Sequence, residues 1–345
     1  MFLKMSVPKL FRVTLDTNPE DCNLSCVMCE EHSPYSHFKQ DLFAETGIWR
    51  RLMPKEMIER IFEQASELGV QEVIPSTMGE PLLYEHIDLI YKLAAYHDIK
   101  INLTTNGTFP RRSVKDWAAL IIPHTSDVKI SWNGATAETY GQVMRGANFE
   151  KALDKLKAFI ALRDEHYEKT QYYCRITLQL TFMAHTMHEI PAIVKLGAAL
   201  GVDRIKGHHL WAHFNEIKEY AILPNPEYCK QWNKYVSDCH YIAKQFLKPD
   251  GTQVVLENIY PLNENKVHDL EDTQCPFLGR ELWISASGVI SPCCAPDNLR
   301  RSLGHFGSIH QTSLKDVLVG HPYIELQQNY RQKPLCKTCN MRRPL

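Results

Sequence analysis

Apolar and polar positions alternate with a period of two in short runs between Phe11 and about Leu210, and between those runs the period lengthens to that of a helix. The alternating runs predict strands over 11–16, 70–75, 99–105, 126–132, 173–183 and 202–208. In the intervals, Met57, Ile58, Ile61, Phe62 and Ala65 mark one helical stripe, and Phe149, Ala152, Leu153, Leu156, Phe159 and Ile160 mark another. Strand followed by helix, repeated, predicts an α/β chain with a parallel sheet. The expected architecture is a partial (β/α)6 TIM-like barrel, with the residues that meet a ligand at the C-terminal ends of the strands.

The alternation also assigns faces. Ile176, Leu178, Leu180 and Phe182 are expected to pack against helices, and Arg175, Thr177, Gln179 and Thr181 to line an interior. The same split recurs with Ile99, Ile101 and Leu103 against Asn102 and Thr104. It appears again with Val128, Ile130 and Trp132 against Ser131 and Asn133. A polar-lined mouth suits a polar substrate and cofactor; partly solvated strand edges would give the same pattern.

Beyond residue 213 the repeat breaks. Pro224, Pro226, Pro249 and Pro261 punctuate one helical stretch around 227–247, which predicts a helical bridge over 214–274. In the last stretch, Leu282-Trp-Ile-Ser and Val289-Ile-Ser-Pro flank Ala286-Ser287-Gly288 and predict a β-hairpin. The expected division is therefore a barrel over 1–213, the bridge over 214–274, and a small C-terminal β-hairpin/helix domain over 275–345.

Composition narrows the function classes. Of 345 residues, 44% are hydrophobic and 23% charged, as in an ordinary folded chain, and the net charge is −1. No global field favours nucleic acid or an anionic membrane, and no basic patch of the kind nucleic acid requires is visible. Met1 to Leu10 is interrupted by Lys4, Pro8 and Lys9 and lacks the apolar core of a signal peptide, and no 18-residue apolar run occurs. A cytoplasmic protein without membrane or nucleic-acid partners is expected. The eleven cysteines are odd in number and clustered, which argues for metal binding over a disulfide framework.

The first cluster is Cys22-Asn-Leu-Ser-Cys26-Val-Met-Cys29, just past the first predicted strand. A zinc ion or an ordinary iron–sulfur cluster takes four protein ligands, and this loop offers three thiols. Half a zinc site is one reading. Three cysteines on a cubane of four irons would instead leave one iron open to another ligand. The C-x3-C-x2-C spacing resembles the signature of the radical S-adenosylmethionine (radical SAM) enzymes. That resemblance implies that the open iron chelates the amino and carboxylate groups of S-adenosylmethionine. An electron from the cluster then cleaves the cofactor to a 5′-deoxyadenosyl radical, which abstracts hydrogen from an unactivated C–H bond.

Further motifs follow in the family's order. Met78-Gly79-Glu80-Pro81 ends the second predicted strand and resembles the GGEP element that holds the cofactor's amino group, with Met78 in place of the first glycine. Taken alone, Gly79, Glu80 and Pro81 read as a turn. Thr104-Thr105-Asn106-Gly107 and Ser131-Trp132-Asn133-Gly134 are first of all turn formers. They resemble the TNG and S-x-[DN]-G elements after the third and fourth strands, which makes Asn106 and Ser131 cofactor-binding candidates. The resemblance also places Arg145 near the cofactor carboxylate. Gln179, inward by alternation, is expected to reach the ribose or the substrate. After the sixth strand stand His208, His209, Trp211 and His213. His208 and His209 are candidate proton carriers, since imidazole titrates near pH 6.5.

The second cysteine set is Cys275, Cys293, Cys294, Cys336 and Cys339. Cys275-x17-Cys293 followed by Cys336-x2-Cys339 gives four ligands, for zinc or for a [4Fe–4S] cluster, and Cys294 can replace Cys293. It resembles the twitch domain, the shorter relative of the SPASM domain appended to many radical SAM enzymes, and most closely that of the 2-deoxy-scyllo-inosamine dehydrogenase type. The resemblance implies two [4Fe–4S] clusters, one binding S-adenosylmethionine and one auxiliary, and a one-electron reductant such as flavodoxin or ferredoxin. Cys174, Cys229 and Cys239 remain as core thiols. Any of these three, or Cys294, is a candidate hydrogen donor for epimerisation, whereas an electron-accepting auxiliary cluster would give oxidation. Because the first strand is expected to begin by about residue 11, no separate leader-peptide-binding domain is expected ahead of it. A small polar natural product (sugar, aminocyclitol or similar) is therefore expected ahead of a ribosomally made peptide. A non-catalytic iron–sulfur or zinc protein on the same scaffold is the rival from another class.

Overall fold

The computed structural model describes residues 9–223, 225–263, 273–295 and 297–344. In chain order the elements are β1 (Arg12–Leu15), α1 (Phe38–Thr46), α2 (Lys55–Glu67), β2 (Glu72–Ile74), α3 (Ile87–Tyr96), β3 (Lys100–Thr105) and α4 (Val114–Ile121). There follow β4 (Thr125–Ser131), α5 (Ala137–Val143), α6 (Phe149–Thr170), β5 (Arg175–Phe182), α7 (Ile190–Leu200), β6 (Arg204–His209) and α8 (Pro226–Gln245). The last strands are β7 (Val255–Glu257), β8 (Thr273–Gln274), β9 (Glu281–Ile284), β10 (Ile290–Ser291) and β11 (Arg343–Pro344). All six expected strand–helix repeats are present, in an α/β fold whose sheet is predominantly parallel.

Two compact units divide the chain. One comprises 1–19, 50–102 and 269–345. Its strands run in the order β10-β9-β1-β2-β3, with β1–β2, β2–β3 and β1–β9 parallel and β9–β10 antiparallel. The β9–β10 pair is the expected hairpin, turning at Gly288 with φ +82°. A Cβ there would stand 2.9 Å from His310 Nε2, so both backbone and space require glycine. Helix α2 buries the whole stripe read from the sequence.

Arg12 sits between the strands on either side of β1. It donates to Glu72 Oε2 at 2.9 Å and to Glu281 Oε2 at 3.3 Å, and Asn102 Nδ2 donates to Glu72 at 2.9 Å. Burial works against the Arg12 charge, but Glu281 and Glu72 more than offset it and leave its pKa raised. Polar residues on this face therefore satisfy one another rather than meeting solvent.

The other unit comprises 20–49 and 103–268, with β4, β5, β6 and β7 parallel in that order. Strand β7 falls within the expected bridge, beside helix α8; residues 264–272 of that bridge lie outside the described residues. Val128, Ile130, Ile176, Leu178, Leu180 and Phe182 are buried as expected. Arg163, in the apolar stripe of α6, is buried too, and its guanidinium is satisfied by Asp203 Oδ2 at 2.7 Å and the Cys174 carbonyl at 3.1 Å. Cys174, Cys229 and Cys239 are buried free thiols. Burial pushes the Cys239 thiol up to about 12, so it packs as an inert apolar group.

Candidate functional site

The loop from Cys22 to Cys29 contains no helix or strand, and its shape comes from two apolar anchors and a backbone seam. Leu24 and Val27 are buried, while Cys22, Cys26 and Cys29 stay half-buried. Ser25 N donates to the Arg145 carbonyl at 2.9 Å and Val27 N to the Val143 carbonyl at 3.0 Å. Both neighbours of Cys26 are thus stitched to the end of α5. Gly146, at φ +93°, takes a backbone conformation beside this seam that favours glycine. Arg145 therefore holds the loop through its backbone. Its exposed guanidinium lies over the Tyr35 ring at 5.7 Å.

Asn106 closes the other end of the loop. Its Nδ2 donates to Asn23 Oδ1 at 2.9 Å and to Cys22 Sγ at 3.8 Å, while its Oδ1 accepts from Thr108 N at 2.9 Å and Thr108 Oγ1 at 2.7 Å. Burial pushes the Cys29 thiol up to about 12 against hydrogen bonds from His32 and Glu31, so ligation there must displace a proton.

Helix α5 is itself held by a residue the sequence did not single out. Glu189, buried before α7, accepts from Ala135 N at 2.5 Å and Thr139 Oγ1 at 2.6 Å. Gly134 packs so tightly on the helix that a Cβ would stand 2.5 Å from Tyr140 N. Tyr140 in turn lies against Trp132 and Phe149, with ring centroids 5.0 and 5.5 Å away.

Ser131 and Gln179 are register partners across β4–β5, and Gln179 pairs with Lys206 across β5–β6. Gln179 Nε2 also lies 3.4 Å from His208 Nδ1. Burial, with Lys206 nearby, lowers the His208 pKa from 6.5 to about 4, so it is neutral at pH 7. His209 is buried elsewhere, edge-on to Phe182 and Trp232. Burial also lowers the His213 pKa to about 4. Asn133, by contrast, spends its side-chain oxygen on Thr181 N at 2.7 Å.

In the other unit, Gly79 adopts φ +69° before the buried Glu80. The Glu80 carbonyl accepts from Asn18 Nδ2 at 2.9 Å, and its Oε1 caps the short turn Pro81–Leu83 by accepting from Leu82 N at 3.2 Å. This cap fixes the orientation of the Glu80 carboxylate.

The same unit gathers the second cysteine set. Burial pushes the Cys336 thiol up to about 12, with Cys293, Cys275 and Cys339 all acting on it, and pushes the Cys339 thiol up to about 11. Backbone N–H groups already point at sulfur, Leu278 N at Cys275 Sγ and Ala295 N at Cys293 Sγ, each at 3.4 Å. The Cys294 thiol donates to Cys293, which lowers the Cys293 pKa to about 7 and raises that of Cys294. Buried Arg342 stands beside the set, donating to the Thr273 carbonyl at 2.6 Å and the Cys336 carbonyl at 3.4 Å.

These donors fit iron–sulfur clusters: half-buried free thiols, N–H groups aimed at sulfur, and a cation beside the C-terminal set. One buried polar atom fits as well. The Tyr140 hydroxyl, in the unit of the first loop, has no hydrogen-bond partner among the described residues. No group of three His, Cys, Asp or Glu among the described residues is arranged to hold a single metal ion.

Residues 19–172 match the family described as Radical SAM superfamily, and residues 275–340 match one described as an iron–sulfur cluster-binding domain, SPASM. SuiB of Streptococcus suis bound to precursor peptide SuiA superposes with a TM-score of 0.64 at 18% identity, covering 97% of this chain and 70% of that one. The anSMEcpe structure with bound AdoMet and Cp18Cys peptide gives 0.61 at 16% identity, covering 95% and 86%. These likenesses are of fold. In sequence, 90 residues are 39% identical to a protein of Pyrococcus horikoshii named probable GTP 3',8-cyclase, which is 26% of this chain. The chain matches about a quarter (24%) of that curated relative's length. The match to an iron–sulfur domain replaces the zinc alternative for the C-terminal set. The chain therefore carries a radical SAM domain over 19–172 and a SPASM domain over 275–340, which together imply [4Fe–4S] clusters and bound S-adenosylmethionine.

Proposed function

We propose that the protein modifies a peptide substrate by radical chemistry, with Cys22, Cys26 and Cys29 holding the cluster that binds S-adenosylmethionine. Cys275, Cys293, Cys336 and Cys339 hold the auxiliary cluster. When bound, the first cluster delivers one electron, supplied by a reductant such as flavodoxin or ferredoxin, to cleave S-adenosylmethionine for hydrogen abstraction. The chain's own residues fix where this happens. Asn106 and the α5 seam hold the three thiols, Gly79, Glu80 and Pro81 offer backbone and carboxylate to the cofactor's amino group, and Ser131, Gln179 and Arg145 supply further polar contacts. His208, neutral beside Gln179, is better placed than the aromatic-packed His209 to take a proton from substrate. The domain division read from the sequence (1–213, 214–274 and 275–345) stands as part of this proposal.

The observation that carries the peptide reading is the fold shared with SuiB and anSMEcpe, both of which bind peptides in those structures. Where the first strand begins bears on the fold and not on the substrate, so the expectation of a small polar molecule loses its support. Uniformly deuterated peptides and uniformly deuterated polyols, offered separately with reductant and S-adenosylmethionine, distinguish the classes. Deuterium in 5′-deoxyadenosine from the peptide pool, lost in Cys26→Ala, is expected. Deuterium from the polyol pool alone contradicts it. Product mass then separates oxidation, with two hydrogens lost, from epimerisation.

A further inference from the structure

The least explained polar atom near the first cysteine loop is the Tyr140 hydroxyl. The ring is fully buried against Trp132 and Phe149, and the hydroxyl has no hydrogen-bond partner among the described residues. A buried hydroxyl without a partner costs free energy and calls for a group that completes it. Tyr140 lies one helical turn before Val143, whose carbonyl takes the Val27 N–H, and Arg145 takes the Ser25 N–H, so α5 grips both neighbours of Cys26. The unpartnered O–H donor thus sits on the helix that grips both neighbours of Cys26.

We infer that Tyr140 donates a hydrogen bond to the sulfur of Cys26, or to the cluster sulfide beside it, once the cluster is in place, and so raises the cluster's reduction potential. A reduced cluster carries more negative charge on sulfur, so an O–H donor stabilises the reduced form more than the oxidised one. The bond makes the first electron transfer easier without touching the substrate. This inference rests on the assignment of Cys22, Cys26 and Cys29 as cluster ligands.

Potentiometric titration of the full chain, followed by electron paramagnetic resonance, tests it. The signal that changes on adding S-adenosylmethionine identifies the first cluster, and the unchanged signal serves as internal reference. Tyr140→Phe keeps the packed ring and removes only the donor. Iron content equal to wild type is expected, with the S-adenosylmethionine-responsive signal shifted to a more negative midpoint and the reference unmoved. Equal iron with an unmoved midpoint overturns the Tyr140 assignment alone. Survival of the responsive signal in Cys22/Cys26/Cys29→Ala overturns the ligand assignment beneath it.

Discussion

Asn106 donates to Cys22 Sγ at 3.8 Å, and the same amide nitrogen holds Asn23 Oδ1 at 2.9 Å. An element that reads first as a turn is therefore a clamp on the first ligand of the thiol loop. Its oxygen is also committed, to Thr108. Asn106→Asp keeps the acceptor and loses the donor. It is expected to retain iron on reconstitution but to lose it faster to a chelator, by several-fold, because about 1–2 kcal/mol of hydrogen bonding is removed from the loop. A chelation rate equal to wild type contradicts the clamp.

Glu189 acts on the same loop at one remove. By accepting from Ala135 N and Thr139 Oγ1 it fixes the start of α5, and the end of α5 carries the seam to Ser25 and Val27. Glu189→Ala leaves buried donors unsatisfied and is expected to cost about 1–3 kcal/mol of stability. Chemical denaturation measures this, and Glu189→Gln should recover part of it. Equal stability of all three proteins counts against this bracing.

Of the adjacent pair Cys293 and Cys294, the backbone N–H of Ala295 points at Cys293. Iron analysis should therefore find about four irons lost in Cys293→Ser and none in Cys294→Ser. The reverse pattern would assign the ligand to Cys294.

His208 makes stability depend on pH in one direction. Its folded pKa, about 4, lies below the ordinary 6.5, so the unfolded chain binds the extra proton first as pH falls. Stability is fully present above 6.5 and is lost progressively between 6.5 and 4. From pH 7 to pH 5.5 the loss attributable to His208 is on the order of 1 kcal/mol. Urea unfolding of His208→Gln should show a shallower fall over that interval than wild type; an unchanged slope removes His208 as the cause.

Much of this organisation is visible in sequence, and what is hidden has a physical reason. Alternation places β1 to β6 within a few residues because each strand buries an apolar face against helices. It does not show β9 beside β1, a parallel pairing across most of the chain that leaves no local trace. Nor does it show β7, whose three residues Val255–Glu257 are exposed or half-buried. Within the site, cysteine spacing is legible because thiol ligands have few substitutes. The pairing of Gln179 with His208, and the separate burial of His209, depend on strand faces that a run of adjacent histidines does not reveal. The Arg145 carbonyl also accepts from Ser25 N, a backbone contact that no motif reveals. Glu189 and Tyr140 belong to no motif. Their only signal is position, Glu189 in the turn before α7 and Tyr140 between Asn133-Gly134 and Arg145-Gly146.

The central claim, one cluster on each cysteine set, is tested most directly by iron and sulfide per chain, with Mössbauer spectra, on anaerobically reconstituted wild type and Cys22/Cys26/Cys29→Ala. About eight irons in the wild type and about four in the triple variant are expected, all in [4Fe–4S] form. About four in the wild type and none in the variant would contradict it, leaving the C-terminal cysteines without a cluster and the chain without an auxiliary electron acceptor.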